Sequence, residues 1–256
     1  MLLRRITKHV TDQNWFAIFI DFIIVVVGIL IAFQITNWSE AKDERIRERQ
    51  IIVDLLADLE IDRSQYQDGL NLAVRKVNAV NASLMGAGIV PLDFNWKLTN
   101  NNIHEYSLET IKKPEDSLVD SPLLWSHTLS GVYPIPSTLT YDAIIGSGDI
   151  KLIQDRQLVR AIQRYQNRTA SLAHQNEKVI SVRESTMMAG AAYGLAIFKK
   201  MPADEYLQLV STNAELVALI NIQGIFAIFH LGDIQDADKQ AAELQDLLTT
   251  YLEATP

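Results

Sequence analysis

The 256-residue chain contains no cysteine. That absence excludes disulfides, thiolate zinc sites, iron–sulfur clusters and a cysteine nucleophile, and leaves the compartment open. Glycine is sparse, 11 residues, and none belongs to a Walker loop or a GxGxxG fingerprint; HExxH and GxSxG are missing too. The histidines His9, His104, His127, His174 and His230 never pair at i, i+3 or i+4, and no ExxH carboxylate pattern occurs, so neither a metal nor a cofactor is expected. No period-two alternation lasts long enough for a sheet, and no repeat is visible. Positive charge is short as well: residues 1 to 50 carry 7 basic and 6 acidic groups, and the other 206 carry 16 and 25. An acidic distal part argues against nucleic acid or an anionic lipid surface as the main partner.

What is present is a long apolar run. Phe16 to Thr36 reads FAIFIDFIIVVVGILIAFQIT, with one charge, and at ~1.5 Å per residue a helix of this length crosses a ~30 Å hydrocarbon core. Trp15 and Trp38 bracket the run; as a helix they stand ~34 Å apart, where interfacial aromatic belts sit. A cleaved signal peptide fits poorly, because the run is too long and ends in Thr36-Asn37-Trp38-Ser39-Glu40, without a small-residue cleavage site. The expected organisation is an N-terminal arm over 1–15, a transmembrane helix over 16–36 and a helical extramembrane domain over 37–256. Lys and Arg counts on the two flanks nearly tie, Arg4, Arg5 and Lys8 against Lys42, Arg45, Arg47 and Arg49. An uncleaved N-terminal anchor ahead of a long domain favours a cytoplasmic N-terminus in a bacterial inner membrane, with the large domain periplasmic.

An ionisable residue inside a span is a functional candidate by default. Helical spacing puts Asp21, Val25, Gly28, Ala32 and Ile35 on one stripe, and Gly28-x-x-x-Ala32 is a small-xxx-small pair that admits a second backbone. This face is the candidate contact for another membrane helix, from a second copy or a foreign subunit. The plainer alternative has Asp21 reaching the headgroups and Gly28 merely tolerated.

Beyond the membrane, SEAKDERIRERQ alternates charge without Gly or Pro, as in a solvated helix leaving the bilayer. Ile52, Leu56, Leu59, Tyr66, Leu70, Ala73, Val77, Val80 and Leu84 then step at helical spacing, interrupted by Arg63, and predict a helix over 40–84 ended by Gly86-Ala87-Gly88. Five of the seven prolines fall between 91 and 136 with Trp96, Trp125, His104 and His127, so an irregular connection over about 86–136 is expected, with one short helix near 121–129, packed onto the long helices through its tryptophans. Ser137 is the predicted cap of a short helix ended by Gly146-Ser147-Gly148. A second long helix is predicted over 155–198, with Leu158, Ile162, Tyr165, Leu172 and Val179 on its stripe and Thr169 and Asn176 as polar layers. A third follows Pro202, carrying Leu216, Ile220, Gln223, Ala227, His230, Ile234, Ala237, Ala241, Leu244, Leu248 and Tyr251. Leu216 to Leu231 lacks formal charge, but its 16 residues include Asn221, Gln223 and His230, which favours a buried helix over a second crossing. The fold class expected is all-α: one spanning helix continuing into a bundle of three long and several short helices.

Two minor sites complete the reading. Asp54, Asp58 and Asp62 align at i, i+4, i+8 and read as a solvated face sharing a charge lattice with Arg45 and Arg63, ahead of a metal site. His230 and Asn176 read as hydrogen-bonded core groups, leaving His104 and His127 as the enzyme candidates.

Two segments, Asp21 to Glu40 (DFIIVVVGILIAFQITNWSE) and Ser137 to Tyr165 with its core TYDAIIGSGDIKLIQDRQLVRAI, resemble an uncharacterised bacterial family with an N-terminal membrane anchor and a helical extramembrane domain. Asp21 falls where that family tends to carry an acidic residue ahead of the glycine, and Tyr141, Ser147, Gly148, Leu152 and Ile153 match the second block. The resemblance implies architecture and location but no activity. The function expected is therefore that of a single-pass, non-catalytic interaction, scaffold or accessory subunit of a membrane assembly, its partners the lipid bilayer and a membrane protein or its own copy. A sensory or ligand-binding domain signalling through a partner is the alternative, and an enzyme using His104 or His127 the third.

Overall fold

The computed structural model describes residues 15–92 and 116–254, and every regular element among them is helical. In chain order these are α1 (Trp15–Gly86), α2 (Asp116–Val119), α3 (Leu124–Thr128), α4 (Leu139–Ser147), a 3-10 turn (Asp149–Leu152), α5 (Arg156–Ala191), α6 (Ala203–Thr212) and α7 (Ala214–Ala254). The chain divides into two compact units, Met1–Gln50 and Ile51–Pro256. Trp96 and His104 lie outside the described residues.

In the first unit α1 runs without interruption from the apolar segment into the charged stretch. From Phe19 to Glu40 every residue except the half-buried Val26 is exposed, including Phe22, Ile24, Ile29, Leu30 and Phe33. A contiguous apolar surface of this size is foreign to a water-facing helix. This helix and α7 are both long and apolar enough to cross a membrane.

In the second unit three elements carry the core. Ile52, Leu59, Tyr66, Ala73, Val77, Val80 and Leu84 of α1 are buried, as are Leu158, Ile162, Tyr165, Leu172 and Val179 of α5 and Leu216, Ile220, Ala227, Ile234, Ala241 and Leu248 of α7. Each set follows the 3.6-residue period that brings one face to the core. Side-chain pairs fix the directions. Arg63–Gln245 and Gln67–Asp238 run α7 antiparallel to α1, and Arg168–Asp233, Asn176–His230 and Thr186–Gln223 run it antiparallel to α5, so α1 and α5 are parallel where Tyr66 meets Tyr165.

Two hydrophobic clusters form along these helices. One gathers Ile52 to Tyr66, Leu158 to Leu172 and Ile234 to Leu248; the other gathers Ala79 to Leu84, Leu124, Trp125, Leu129, Tyr206, Val210, Leu216 and Ile220. Between the clusters each of the three helices carries buried polar residues beside Ala73, Val77, Val179, Ala227 and Leu231: Lys76 on α1, Asn176 and Thr186 on α5, Gln223 and His230 on α7.

Several boundaries differ from the sequence reading. Ser137 does not cap α4: the N-cap position is Thr138, without a side-chain bond, and the Ser137 amide instead donates to Asp62 Oδ1 at 2.7 Å. The helix does end at Gly148, in the left-handed conformation with φ 75°. The second long helix starts where expected, with Asp155 Oδ1 accepting from the Gln157 amide at 2.7 Å, but stops at Ala191, not 198. Its last turn tightens through the Tyr193 and Leu195 amides on the Gly190 carbonyl, and Gly194 reverses the chain at φ 73°. After Pro202 the chain forms two helices broken at Asn213, whose backbone turns extended and whose Nδ2 donates to the Leu209 carbonyl.

Candidate functional site

The membrane-face candidates lie in the first unit. Asp21, Val25, Gly28 and Ala32 share one stripe of α1 and all are exposed. A methyl group built on Gly28 would meet nothing within 4 Å, so the backbone there is open to close approach. Exposure alone does not distinguish this stripe, since the rest of the segment is uncovered too; its small residues and its carboxylate do. Trp15 begins the helix, and exposed Trp38 has Lys42 Nζ 5.9 Å from its ring centre, a cation–π arrangement.

In the second unit the aligned carboxylates grade from exposed Asp54 through half-buried Asp58 to Asp62, which is not on the solvated face expected. Asp62 is 1% exposed, accepts from the Tyr165 hydroxyl at 2.7 Å and from the Ser137 amide, and Tyr165 is 2.9 Å from the Tyr66 hydroxyl. Asp58 accepts from the Thr140 amide at 3.3 Å, and Gln65 from the Ile135 amide at 3.0 Å. Asp58, Asp62 and Gln65 thus form a rail on α1 that receives backbone donors from the end of the connection, Ile135 and Ser137, and from the first turn of α4, Thr140, which have no helical partner of their own. Arg63 reaches across to α7, where it bonds Asp238 at 3.1 Å and Gln245 at 2.8 Å. Among the described residues no group of histidines and carboxylates could hold a metal.

The polar layer between the clusters holds the least expected chemistry. Asn176 Nδ2 donates to the Pro134 carbonyl at 2.8 Å, which turns its Oδ1 to His230 Nε2 at 2.7 Å and makes that nitrogen the donor. Burial, and then the neighbouring Lys76, hold the His230 pKa down to about 4, so the ring is neutral at pH 7. Gln223 donates to Thr186 Oγ1 at 2.7 Å and to the Val182 carbonyl at 3.0 Å. Lys76 is 3% exposed, and among the described residues its Nζ has no hydrogen-bond partner; the Tyr133 hydroxyl, also buried, has none there either. Burial first, and then Arg183, hold the Lys76 ammonium down to about 8. A cavity of about 10 Å³ lies among Ala73, Lys76, Tyr133, Val179, Ala227 and His230.

His230 and Asn176 are therefore hydrogen-bonded core groups, as the sequence suggested. His127, the described one of the two enzyme candidates, is half-buried, its pKa lowered by burial and by Arg75. Lys76 was overlooked, although Ala73, Lys76 and Val80 step by three and four, which places a lysine in core register. No family model, curated protein or solved structure matches the chain.

Proposed function

We propose that this chain is a single-pass inner-membrane protein whose span packs against a second membrane helix, and whose helical domain, a bundle built on its three long helices, serves as a non-catalytic interaction, scaffold or accessory subunit. The observation that carries the reading is the uncovered apolar stretch of α1 with Asp21, Gly28 and Ala32 on one stripe and open space over Gly28. In lipid, association relies on close packing and interhelical hydrogen bonds, and this stripe offers both. A single crossing is supported by α7, which buries Leu216, Ile220, Ala227 and Leu231 within its own chain instead of presenting them to lipid. A cytoplasmic N-terminus and a periplasmic domain complete the proposal. Mass-spectrometric identification of proteins retained with the tagged, detergent-solubilised chain, beside its Gly28→Leu/Ala32→Leu variant, tests it. A partner, or the chain's own copy, lost on substitution supports the reading; identical retention counts against the membrane face.

A second reading, a ligand-responsive domain acting through a partner, is favoured by the cavity at Lys76, where two buried polar atoms lack partners among the described residues.

A further inference from the structure

We infer that the cavity among Lys76, Tyr133 and His230 is a binding site for a single small monovalent anion of halide size. No carboxylate among the described residues is bonded to the buried Lys76 ammonium, and removing a lone charge from water is among the most costly acts in folding. Among the described residues, the charged and titratable groups around it are Arg183 from α5, His230 from α7 and Tyr133 from the connection. Arg183 has the same sign as Lys76 and gives its Nε–H to the Leu129 carbonyl; His230 is neutral and occupied by Asn176; Tyr133 is an uncharged donor. Glu184, which acts on Tyr133, is exposed. The local field among the described residues is positive, and a guest anion would supply the compensating charge.

Size narrows the guest. About 10 Å³ accommodates one water-sized centre, which admits chloride or bromide and refuses phosphate, sulfate or a carboxylate metabolite. Chemistry agrees, since Lys76 Nζ and the Tyr133 hydroxyl are donors without other partners among the described residues, and Ala73, Val179 and Ala227 make the surrounding wall apolar, where attraction between opposite charges is strong. The site also lies where three elements meet: α1 through Lys76, and the connection through Tyr133, whose ring stands 5.6 Å from that of His230 on α7. The guest would therefore act as a structural ion, and the inference does not depend on the membrane role proposed above.

The test uses the full chain in detergent, with thermal unfolding followed in sodium chloride, sodium bromide and sodium gluconate at matched ionic strength, gluconate being too large to enter. Expected is a saturable rise in Tm of a few degrees with halide over gluconate, abolished in Lys76→Met and shifted to several-fold higher halide in Tyr133→Phe. Crystals grown in bromide are expected to give an anomalous peak between Lys76 Nζ and Tyr133 Oη, a readout that needs no variant. Equal Tm in chloride and gluconate, with no bromide peak, would mean the cavity takes water only and would overturn the inference. So would a halide effect that persists unchanged in Lys76→Met, which would place the ion elsewhere.

Discussion

The Asp62 carboxylate accepts the Tyr165 hydroxyl at 2.7 Å from a position 1% exposed, and with its other oxygen it holds the Ser137 amide at 2.7 Å. One buried acid on α1 thus positions both α5 and the connection leading into α4. Burial is the largest influence on its pKa and raises it, against the lowering effect of the two bonds. A folded-state pKa above the unfolded one means that protonation favours the fold, so acidification does not unfold the domain through this residue.

Asp62→Ala should remove both acceptors and leave the Tyr165 hydroxyl and Ser137 amide buried without them, lowering stability by ~3 kcal/mol or more. Asp62→Asn keeps one acceptor oxygen and the volume and should cost less than half as much. Urea midpoints at constant m-value measure both.

Gly69 allows Pro134 to approach: a Cβ there would stand 2.7 Å from Pro134 Cγ and 3.2 Å from Ile234 Cδ1. A proline ring cannot rotate aside, so Gly69→Ala should cost ~1–3 kcal/mol through displacement of the connection. Gly28→Ala, with open space around it, should leave the same urea midpoint unchanged.

Acid lability should trace to His230. Its pKa falls from 6.5 in the unfolded chain to about 4 in the folded one, so the unfolded state binds more protons between those values and stability declines as pH falls through the window. The loss should approach ~3 kcal/mol at pH 4. His230→Gln, which can keep a bond to Asn176, should flatten this segment of the stability–pH curve.

Lys76 acts at the other end. With a folded pKa of about 8 against 10.5, it penalises the fold in full at pH 7, and in halide-free buffer stability should rise as pH climbs from 8 to 10.5. Lys76→Met should be more stable than the parent at pH 7 by ~1–3 kcal/mol, with the difference shrinking across that window.

The helical class and the buried faces were legible because period and burial share one cause: Leu59, Tyr66 and Val77 on α1, and Leu158, Ile162 and Leu172 on α5, repeat at 3.6 residues and face the core. Ends were less legible. The second long helix stops at Ala191 because the Gly190 carbonyl takes the Tyr193 and Leu195 amides and Gly194 reverses the chain, while the apolar pattern continues past it. Asp62 was misread because its neighbours Asp58 and Asp54 suggested a charged face, and only the tertiary fold brings Tyr165 and Ser137 to it across more than 70 residues. Lys76 carried a local sign, its core register, but its lack of a partner among the described residues depends on α5, α7 and the connection together. That Asp21, Val25, Gly28 and Ala32 share one stripe of α1 follows from helical spacing alone and needs no other part of the chain.

The most direct test of the account is a photo-crosslinking scan in native membranes, with a photoreactive residue placed singly along α1 from 21 to 35. Protein adducts are predicted to peak at positions 21, 25, 28 and 32, with lipid adducts alone at 23 and 30 on the opposite face. Lipid adducts at every position, or protein adducts without helical period, would contradict the assignment of Asp21, Val25, Gly28 and Ala32 as a packing face.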